Sequence, residues 1–254
     1  MPESPLNVLI IGETGVGKSS VVNLIAGEVR AEVSPDCDVC TTKTTRYDIT
    51  IGSMSLHVWE IVGFNQPRDP TDNEIPVPDV DLGSILADDK ATAVDVVLFC
   101  MRAERVREIT KKFFNFVKDM FGDQVPIVLV INHWAKRDME DWWRQNEEPL
   151  RTKRGIEGDE HVCVTGIGGN PKHEQSQGAL LAELRDRYEA RGNKTLESIF
   201  LTYLGKLDNK ELKETLGKLH LTTAQGLMEE LAALSPTNGR SSLLRRLFSS
   251  FFSS

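Results

Sequence analysis

One short segment near the start of the chain constrains the fold more than any other. Residues 12–20 read GETGVGKSS, after the apolar run LNVLII and before the apolar run VVNLIAG. The spacing Gly12-x-x-x-x-Gly17-Lys18-Ser19 is that of a phosphate-binding loop between a buried strand and a helix. The glycines let backbone N–H groups approach phosphates without an intervening Cβ, and the helix N-terminus adds a favourable dipole. The segment predicts a site for a nucleoside di- or triphosphate.

The residue types in this loop have expected roles. Lys18 should reach the β- and γ-phosphates and also serve catalysis, and the Ser19 hydroxyl should ligate Mg²⁺. The residues expected to bind the nucleotide are Gly12, Glu13, Thr14, Gly15, Val16, Gly17, Lys18, Ser19 and Ser20.

The first 190 or so residues alternate between strand patterns and helix patterns. Strand-like runs occupy 6–11, 95–101, 125–132 and 161–167, and a hairpin, TRYDITI then SLHVWEIV, turns at Gly52-Ser53. Helical patterns occupy 18–26, 108–122, 139–153 and 176–190. This order predicts an α/β fold with a doubly wound, mainly parallel sheet covered on both faces.

The character of the chain changes near Lys194, which predicts three parts. We expect a phosphate-loop domain over 1–193, a leucine-periodic helical extension over 194–234, and a linker with an amphipathic segment over 235–254. The ending SSLLRRLFSSFFSS places apolar residues on one helical face and arginines on the other. Two interpretations stay open for 241–254: it lies on an anionic membrane surface, or it docks on protein.

Composition narrows the class of partner and the compartment. A formal charge of −8 and a pI of about 5.3 argue against general nucleic-acid binding. No signal-peptide pattern opens the chain, so we expect a cytoplasmic protein, with peripheral membrane attachment open. Cys37-x-x-Cys40 lacks the second ligand pair of a zinc site, and Cys100 and Cys163 are expected to be buried thiols.

A second motif and several flanking segments carry a family resemblance. WEIVGFN, residues 59–65, follows the hairpin where related domains have Asp-x-x-Gly, with glutamate replacing the aspartate. Together with LNVLIIGETGVGKSSVVNLIAG, CTTKTTRY, VVLFCMRAERVRE and IVLVINHW followed by MEDWWRQNE, it resembles the septin-related branch of translation-factor-type P-loop GTPases. That branch includes immunity-associated (GIMAP) and Toc-type GTPases, and the chain looks most like its fungal G-domain-containing proteins. The resemblance covers roughly residues 6–190.

This resemblance implies GTP or GDP with Mg²⁺ as the ligand. Gly63 would offer its amide to the γ-phosphate, and Glu60 would meet Mg²⁺ through a water. The metal set implied is Ser19, Glu60 and a threonine of CTTKTTRY. Thr41 fits best by its distance from Glu60, and the other candidates are Thr42, Thr44 and Thr45.

The resemblance also locates the base-recognition motifs. Asn132-His133-Trp134-Ala135 stands where relatives have Asn-Lys-x-Asp, so Asn132 and His133 are expected at the nucleotide, while the aspartate is absent. A nearby carboxylate could replace the missing aspartate, and the candidates are Asp138, Glu140 and Asp141. The alternative is that these three are solvated charges at the start of a helix and that nothing replaces the aspartate. The last motif becomes Thr165-Gly166, acting through backbone N–H groups.

The resemblance implies that a single chain hydrolyses GTP slowly and that a dimer hydrolyses it faster. Phe64 occupies the place of the water-orienting glutamine, leaving Asn65 or no residue in cis. An arginine from a second copy, docked across the nucleotide face, is implied: Arg102 first, then Arg105. The alternative for these arginines is a surface ion pair with Glu104 or Glu108.

The function expected is a nucleotide-dependent switch or assembly module. The alternatives are a GTP-bound, non-hydrolysing scaffold and a purine-tolerant NTPase. The expected partners are guanine nucleotide, a second copy of the chain, and a membrane or protein at 241–254, with no nucleic acid.

Overall fold

The computed structural model describes residues 4–33, 44–61, 93–103, 106–122, 124–132, 139–165, 172–190, 196–208 and 210–211. The strands are β1 (Leu6–Gly12), β2 (Thr45–Ile51), β3 (Met54–Glu60), β4 (Val96–Arg102), β5 (Ile127–Asn132) and β6 (Glu160–Val164). The helices are α1 (Lys18–Ala26), α2 (Glu108–Phe121), α3 (Met139–Pro149), α4 (His173–Ala190) and α5 (Leu196–Lys206). After Pro149 the chain continues as a π-helical turn, Leu150–Arg154.

The strands form one sheet in the order β2-β3-β1-β4-β5-β6. All neighbours are parallel except the hairpin β2–β3, which turns at Gly52 with φ 61°. The predicted doubly wound, mainly parallel α/β fold is confirmed. The chain leaves β1 for one side of the sheet and later adds β4 on the other. Such a switch point opens a crevice at the carboxyl ends of the strands.

The central strands are apolar over most of their length because helices cover both faces of the sheet. On β1, Leu9 and Ile11 belong to a core with α2 and α5, while Val8 and Ile10 belong to a second core with α1 and α4. Successive strand residues point to opposite faces, so a continuous apolar run supplies both cores. The phosphate loop thus leaves a strand that is fixed on both sides.

The helix that follows the predicted boundary at 193 packs on the α/β domain. Ile199 and Tyr203 of α5 are buried in the core that contains α2. The Tyr203 ring meets Phe116 edge-on at 5.9 Å, and Gln124 Nε2 donates to Ile199 O at 3.3 Å. The later part of the predicted extension and the segment 235–254 lie outside the described residues.

One other sequence prediction, that two cysteines are buried thiols, is met in the described residues. Cys100 and Cys163 are buried free thiols, as predicted, whereas Cys37 and Cys40 lie outside the described residues. Among the helices that the structure describes, none is both long and apolar enough to cross a membrane.

Candidate functional site

The loop between β1 and α1 has the backbone that its glycines predict. Gly15 has φ 77° and Gly17 φ 94°, a left-handed region that side chains with a Cβ rarely adopt. A Cβ on Gly17 would also overlap Asn132 Nδ2, and one on Gly12 would overlap the Cys100 carbonyl. The loop is therefore held against the ends of β4 and β5.

Asn132, the last residue of β5, contacts this loop directly. Its Nδ2 donates to Val16 O at 3.0 Å, and the residue is buried. The backbone carbonyl of Asn132 is also held, because Ala103 N–H donates to Asn132 O at 3.1 Å. Asn132, predicted at the nucleotide from the base motif, thus lies on the phosphate loop and links it to the start of the base segment.

Lys18 is folded back over the loop at the start of α1. Its Nζ donates to Gly12 O at 3.2 Å and to Glu13 O at 3.1 Å. Burial lowers the pKa of Lys18 below its usual value, and the nearby Glu60 carboxylate partly opposes that shift. Among the described residues the hydrogen-bond partners of Lys18 Nζ are these two carbonyls, and an added anion such as a nucleotide phosphate strongly stabilises a buried ammonium of this kind.

Ser19 and Glu60, the two predicted metal ligands among the described residues, are in contact. Ser19 Oγ donates to Glu60 Oε1 at 2.6 Å, and Glu60 is 1% exposed. Two oxygen donors at a parallel-strand end, beside a phosphate loop, fit a hard cation such as Mg²⁺. Ser19 and Glu60 would hold that ion, Glu60 directly or through a water.

Tyr47 completes this cluster and was not identified from the sequence. Its hydroxyl donates to Glu60 Oε2 at 3.3 Å. Burial, together with the charge of Glu60, raises the pKa of Tyr47 to about 12, so the phenol stays a donor. The hairpin register pairs Tyr47 with Val58, which makes Glu60 its diagonal neighbour on the same face. Pairing the two strands around Gly52 would have revealed this contact.

Glu13 directs its side chain away from the loop toward the start of α2. Arg107 Nη2 and Thr110 Oγ1 donate to its two carboxylate oxygens, and Glu13 is 5% exposed. Its side chain therefore has a structural partner on α2, while its carbonyl accepts from Lys18. These contacts span more than 90 residues of sequence, and no local pattern in the chain signals them.

Arg102, the first predicted catalytic arginine, lies at the carboxyl end of β4. Its Nη2 donates to Gly15 O at 2.6 Å, so within one chain it contacts its own phosphate loop. Beside it is a cavity of about 410 Å³ between the loop, the end of β4 and the start of α2, lined by Glu13–Val16, Cys100–Arg102, Val106, Arg107 and Thr110. Burial raises the pKa of the Cys100 thiol to about 12, so this thiol is an uncharged group in the lining of the cavity.

Two carboxylates considered for the base contact lie in the first turn of α3. Glu140 Oε2 is 3.6 Å from His161 Nε2, and Asp141 Oδ1 is 3.3 Å from Arg144 Nη1. Both carboxylates therefore have neighbours within the protein. The third, Asp138, lies outside the described residues.

At the end of β6, Thr165 is fully buried. Its backbone N–H donates to Ser176 Oγ at 3.0 Å, and that hydroxyl donates in turn to Lys172 O. This N–H is therefore engaged within the protein. Within the Thr165-Gly166 motif, the backbone N–H predicted to contact the nucleotide would then be that of Gly166.

The remaining predicted site residues lie outside the described residues: Thr41, Thr42, Gly63, Phe64, Asn65, Arg105, His133, Ala135 and Gly166. Of the other candidate threonines, Thr45 pairs in register with Glu60. Thr44 Oγ1 is buried and has no hydrogen-bond partner among the residues described, which is the kind of group that a bound ligand satisfies.

Comparison with known proteins places this site in a family. The chain is 36% identical over 69 residues to the tRNA modification GTPase MnmE of Aromatoleum aromaticum, covering 27% of this chain and 15% of that protein. It is 27% identical over 127 residues to a chloroplast translocase 34 homolog of Chlamydomonas reinhardtii, covering 46% and 31%. The alignments thus span less than a third of each curated relative.

The fold is also that of Toc33 from Arabidopsis thaliana, solved in complex with GDP and Mg²⁺. That structure has a TM-score of 0.56 and 20% identity, covering 77% of this chain and 87% of Toc33. Further Toc33 structures hold Mg²⁺ and GMPPNP, or carry an arginine-to-alanine change described as dimerisation-deficient. The sequence model of the 50S ribosome-binding GTPases matches residues 7–133, half of the chain, and the protein belongs to that family.

Proposed function

We propose that this protein binds GTP with Mg²⁺, hydrolyses it slowly, and acts as a nucleotide-dependent switch or assembly module. The observation that carries the proposal is the 2.6 Å contact between Ser19 and Glu60, one residue from the buried Lys18. The phosphate loop and the cation ligands support a nucleotide with Mg²⁺, and the family assignment supports guanine as its base.

In this proposal different residues of the chain bind the phosphates and the Mg²⁺ ion. The backbone of the loop and Lys18 bind the β- and γ-phosphates. Ser19 and Glu60 hold Mg²⁺, which supplies charge neutralisation at the phosphates when bound. Tyr47 orients Glu60, and Asn132 keeps the loop in place.

Slow hydrolysis is supported by what the chain lacks at the usual water-orienting position. Phe64 has no polar group to orient a water, so acceleration requires Asn65 or an arginine. Arg102 is the first candidate. Its hydrogen bond to Gly15 O places the guanidinium at the rim of its own loop, and dimerisation would redirect it across the interface.

Dimerisation is supported by the Toc33 comparison. In the related chloroplast translocon components Toc33 and Toc159, dimerisation is important for the GTPase activity. The chain aligns with 85% of the corresponding structure at a TM-score of 0.55 and 19% identity. We extend the idea to this chain as a homodimer across the nucleotide face, and we place the chain in the Toc-like, septin-related branch.

The segment 241–254 is proposed to attach the protein to a membrane surface or to a partner protein. Its two arginines and its apolar face are the basis for the proposal. This arrangement corresponds to a cytoplasmic protein with a peripheral membrane interaction.

Single-turnover hydrolysis as a function of protein concentration tests the enzymatic part. The proposal predicts a slow first-order rate in dilute protein that rises as dimer forms, together with cleavage lost in Lys18→Ala. The matched control is Lys112→Ala, an exposed lysine on α2. Bound GTP that stays uncleaved at every concentration would instead identify the non-hydrolysing scaffold.

A purine-tolerant NTPase is the second candidate, because Ala135 stands where the guanine-reading aspartate is expected. Competition between GTP and ATP for the same site distinguishes the two. Preference for GTP by a large factor supports the GTPase, and equal competition supports the tolerant enzyme.

A further inference from the structure

A group of three side chains outside the phosphate loop has the composition of a transition-metal site. Donor atoms of Glu140, His161 and Cys163 all lie within 4.8 Å of one another. We propose that these residues bind a divalent ion of the Zn²⁺ class, separate from the Mg²⁺ of the nucleotide.

The three ligands lie on fixed elements. His161 and Cys163 are two residues apart on β6, so they point to the same face of the sheet. Glu140 lies in the first turn of α3, which packs against β6. Cys163 is 5% exposed, and its sulfur therefore approaches the site from inside the core.

The histidine ring is held in a defined plane. The Trp143 ring stacks on it with centroids 4.0 Å apart and an interplanar angle of 11°. His161 Nε2 lies 3.6 Å from Glu140 Oε2, too far for a good hydrogen bond. Two donors on one tetrahedral ion lie about 3.4 Å apart, given bonds of about 2.0–2.1 Å. The observed spacing is close to that value.

The donor types favour one class of metal. A thiolate and an imidazole select Zn²⁺, Co²⁺ and similar ions over Mg²⁺ and Ca²⁺. When the ion binds, the Cys163 thiol loses its proton to solvent and forms a metal–sulfur bond. The thiolate and the Glu140 carboxylate together neutralise a divalent charge. Three protein ligands leave a fourth position for water or another donor.

A bound ion would join α3 to the edge strand of the sheet. Cys163 directly precedes Val164, which pairs in register with Asn132, the residue that holds the phosphate loop. Metal binding should therefore stabilise this side of the domain, in proportion to the logarithm of the free metal concentration.

Co²⁺ titration of the chelator-treated full chain tests the site. A Cys37→Ser/Cys40→Ser background removes the other cysteine pair, and excess Mg²⁺ occupies the oxygen site at Ser19 and Glu60. The proposal predicts one equivalent of Co²⁺ with a thiolate-to-cobalt charge-transfer band, displaced by Zn²⁺. Cys163→Ser should abolish the band. His161→Gln and Glu140→Gln should each weaken affinity at least about tenfold, the loss typical of removing even an outer partner of a ligand.

His57→Gln is the matched control. His57 is 29% exposed, as His161 is, and its Nε2 lies 3.6 Å from Asp48, but no cysteine is grouped with this pair among the described residues. This variant should bind Co²⁺ as the background does. A missing charge-transfer band in the background, or a band unchanged by Cys163→Ser, would overturn the proposal. So would affinity unchanged by His161→Gln or Glu140→Gln, both at partly exposed positions.

Discussion

Ser19 on the first turn of α1 and Glu60 at the end of β3 share a hydrogen bond of 2.6 Å. Forty-one residues apart in sequence, they meet because β1 and β3 are parallel neighbours, with Ile10 opposite Glu60. Parallel register brings the end of β3 level with the end of β1, where the phosphate loop begins. The glutamate that replaces the family's aspartate is thereby at the loop.

Tyr47→Phe is expected to weaken the metal site without harming the fold. The change removes the hydrogen bond to Glu60 Oε2 and leaves the ring packed. A single hydrogen bond is worth about 1 kcal/mol, so the Mg²⁺ concentration that half-saturates nucleotide binding should rise about fivefold. Calorimetric titration of nucleotide at varied Mg²⁺ measures this, with Tyr203→Phe on α5 as control. An unchanged Mg²⁺ dependence would remove Tyr47 from the site.

Gly17→Ala should abolish nucleotide binding and destabilise the domain. Its φ of 94° strains any side chain, and the added methyl overlaps Asn132 Nδ2. Gly155→Ala is the matched control, because Gly155 has φ 65° and open space around its Cβ position. The control should lose about 1–2 kcal/mol of unfolding free energy, from backbone strain alone. Urea unfolding should show a larger loss for Gly17→Ala; equal losses would contradict the close approach.

Glu13 and Arg107 should be coupled energetically. Their contact joins the phosphate loop to α2, and Glu13 is buried. Removing Arg107 takes this partner from the buried Glu13 carboxylate, so a double-mutant cycle of Glu13→Gln and Arg107→Ala should give a coupling of about 0.5–3 kcal/mol. Additive effects in urea unfolding would show that the pair does not connect the two elements.

Stability should fall at alkaline pH because of Cys100. Its folded-state pKa of about 12 lies above the usual thiol pKa of 9.0, so the folded thiol keeps its proton while the unfolded thiol ionises. This contribution is complete below pH 9.0 and is lost as pH rises toward about 12. The slope approaches about 1.4 kcal/mol per pH unit. Urea unfolding from pH 8 upward, roughly to pH 11, should show it, and Cys100→Ala should reduce the slope. An identical slope in the variant would assign the loss to other groups.

Arg102→Ala should remove the acceleration of hydrolysis that accompanies dimer formation. Arginines that reach a transferring phosphoryl group contribute roughly 10³–10⁵-fold to turnover, so even partial engagement predicts more than a tenfold loss at high protein concentration. Arg144→Ala, an exposed arginine on α3, is the control. If Arg102→Ala keeps the full concentration-dependent rate, the catalytic role passes to Arg105 or to Asn65.

The phosphate loop was predictable because its information is local. The strand 6–11, the glycine spacing and the helix 18–26 each carry their own pattern, and the structure has β1 and α1 at those positions. Alternating apolar segments likewise predicted the parallel sheet. Helix α4 begins at His173, earlier than the predicted 176, because its first turn is polar and has no periodic signal.

Side-chain partners across the fold were not predictable in the same way. Glu13 reads as a loop residue, and only the packing of α2 beside β4 reveals that its carboxylate binds Arg107 and Thr110. The Glu140–His161–Cys163 group likewise forms only when α3 docks on β6. Each of these contacts depends on the relative placement of elements, which periodicity does not encode.

Calorimetry of a non-hydrolysable GTP analogue, with and without Mg²⁺, tests the central claim most directly. The measurement compares the wild-type chain with Ser19→Ala and Lys18→Ala. The account predicts tight binding that strengthens with Mg²⁺, loss of the Mg²⁺ effect in Ser19→Ala, and loss of binding in Lys18→Ala. Binding by the wild type that ignores Mg²⁺, or that survives Lys18→Ala, would contradict a magnesium–nucleotide site at this loop.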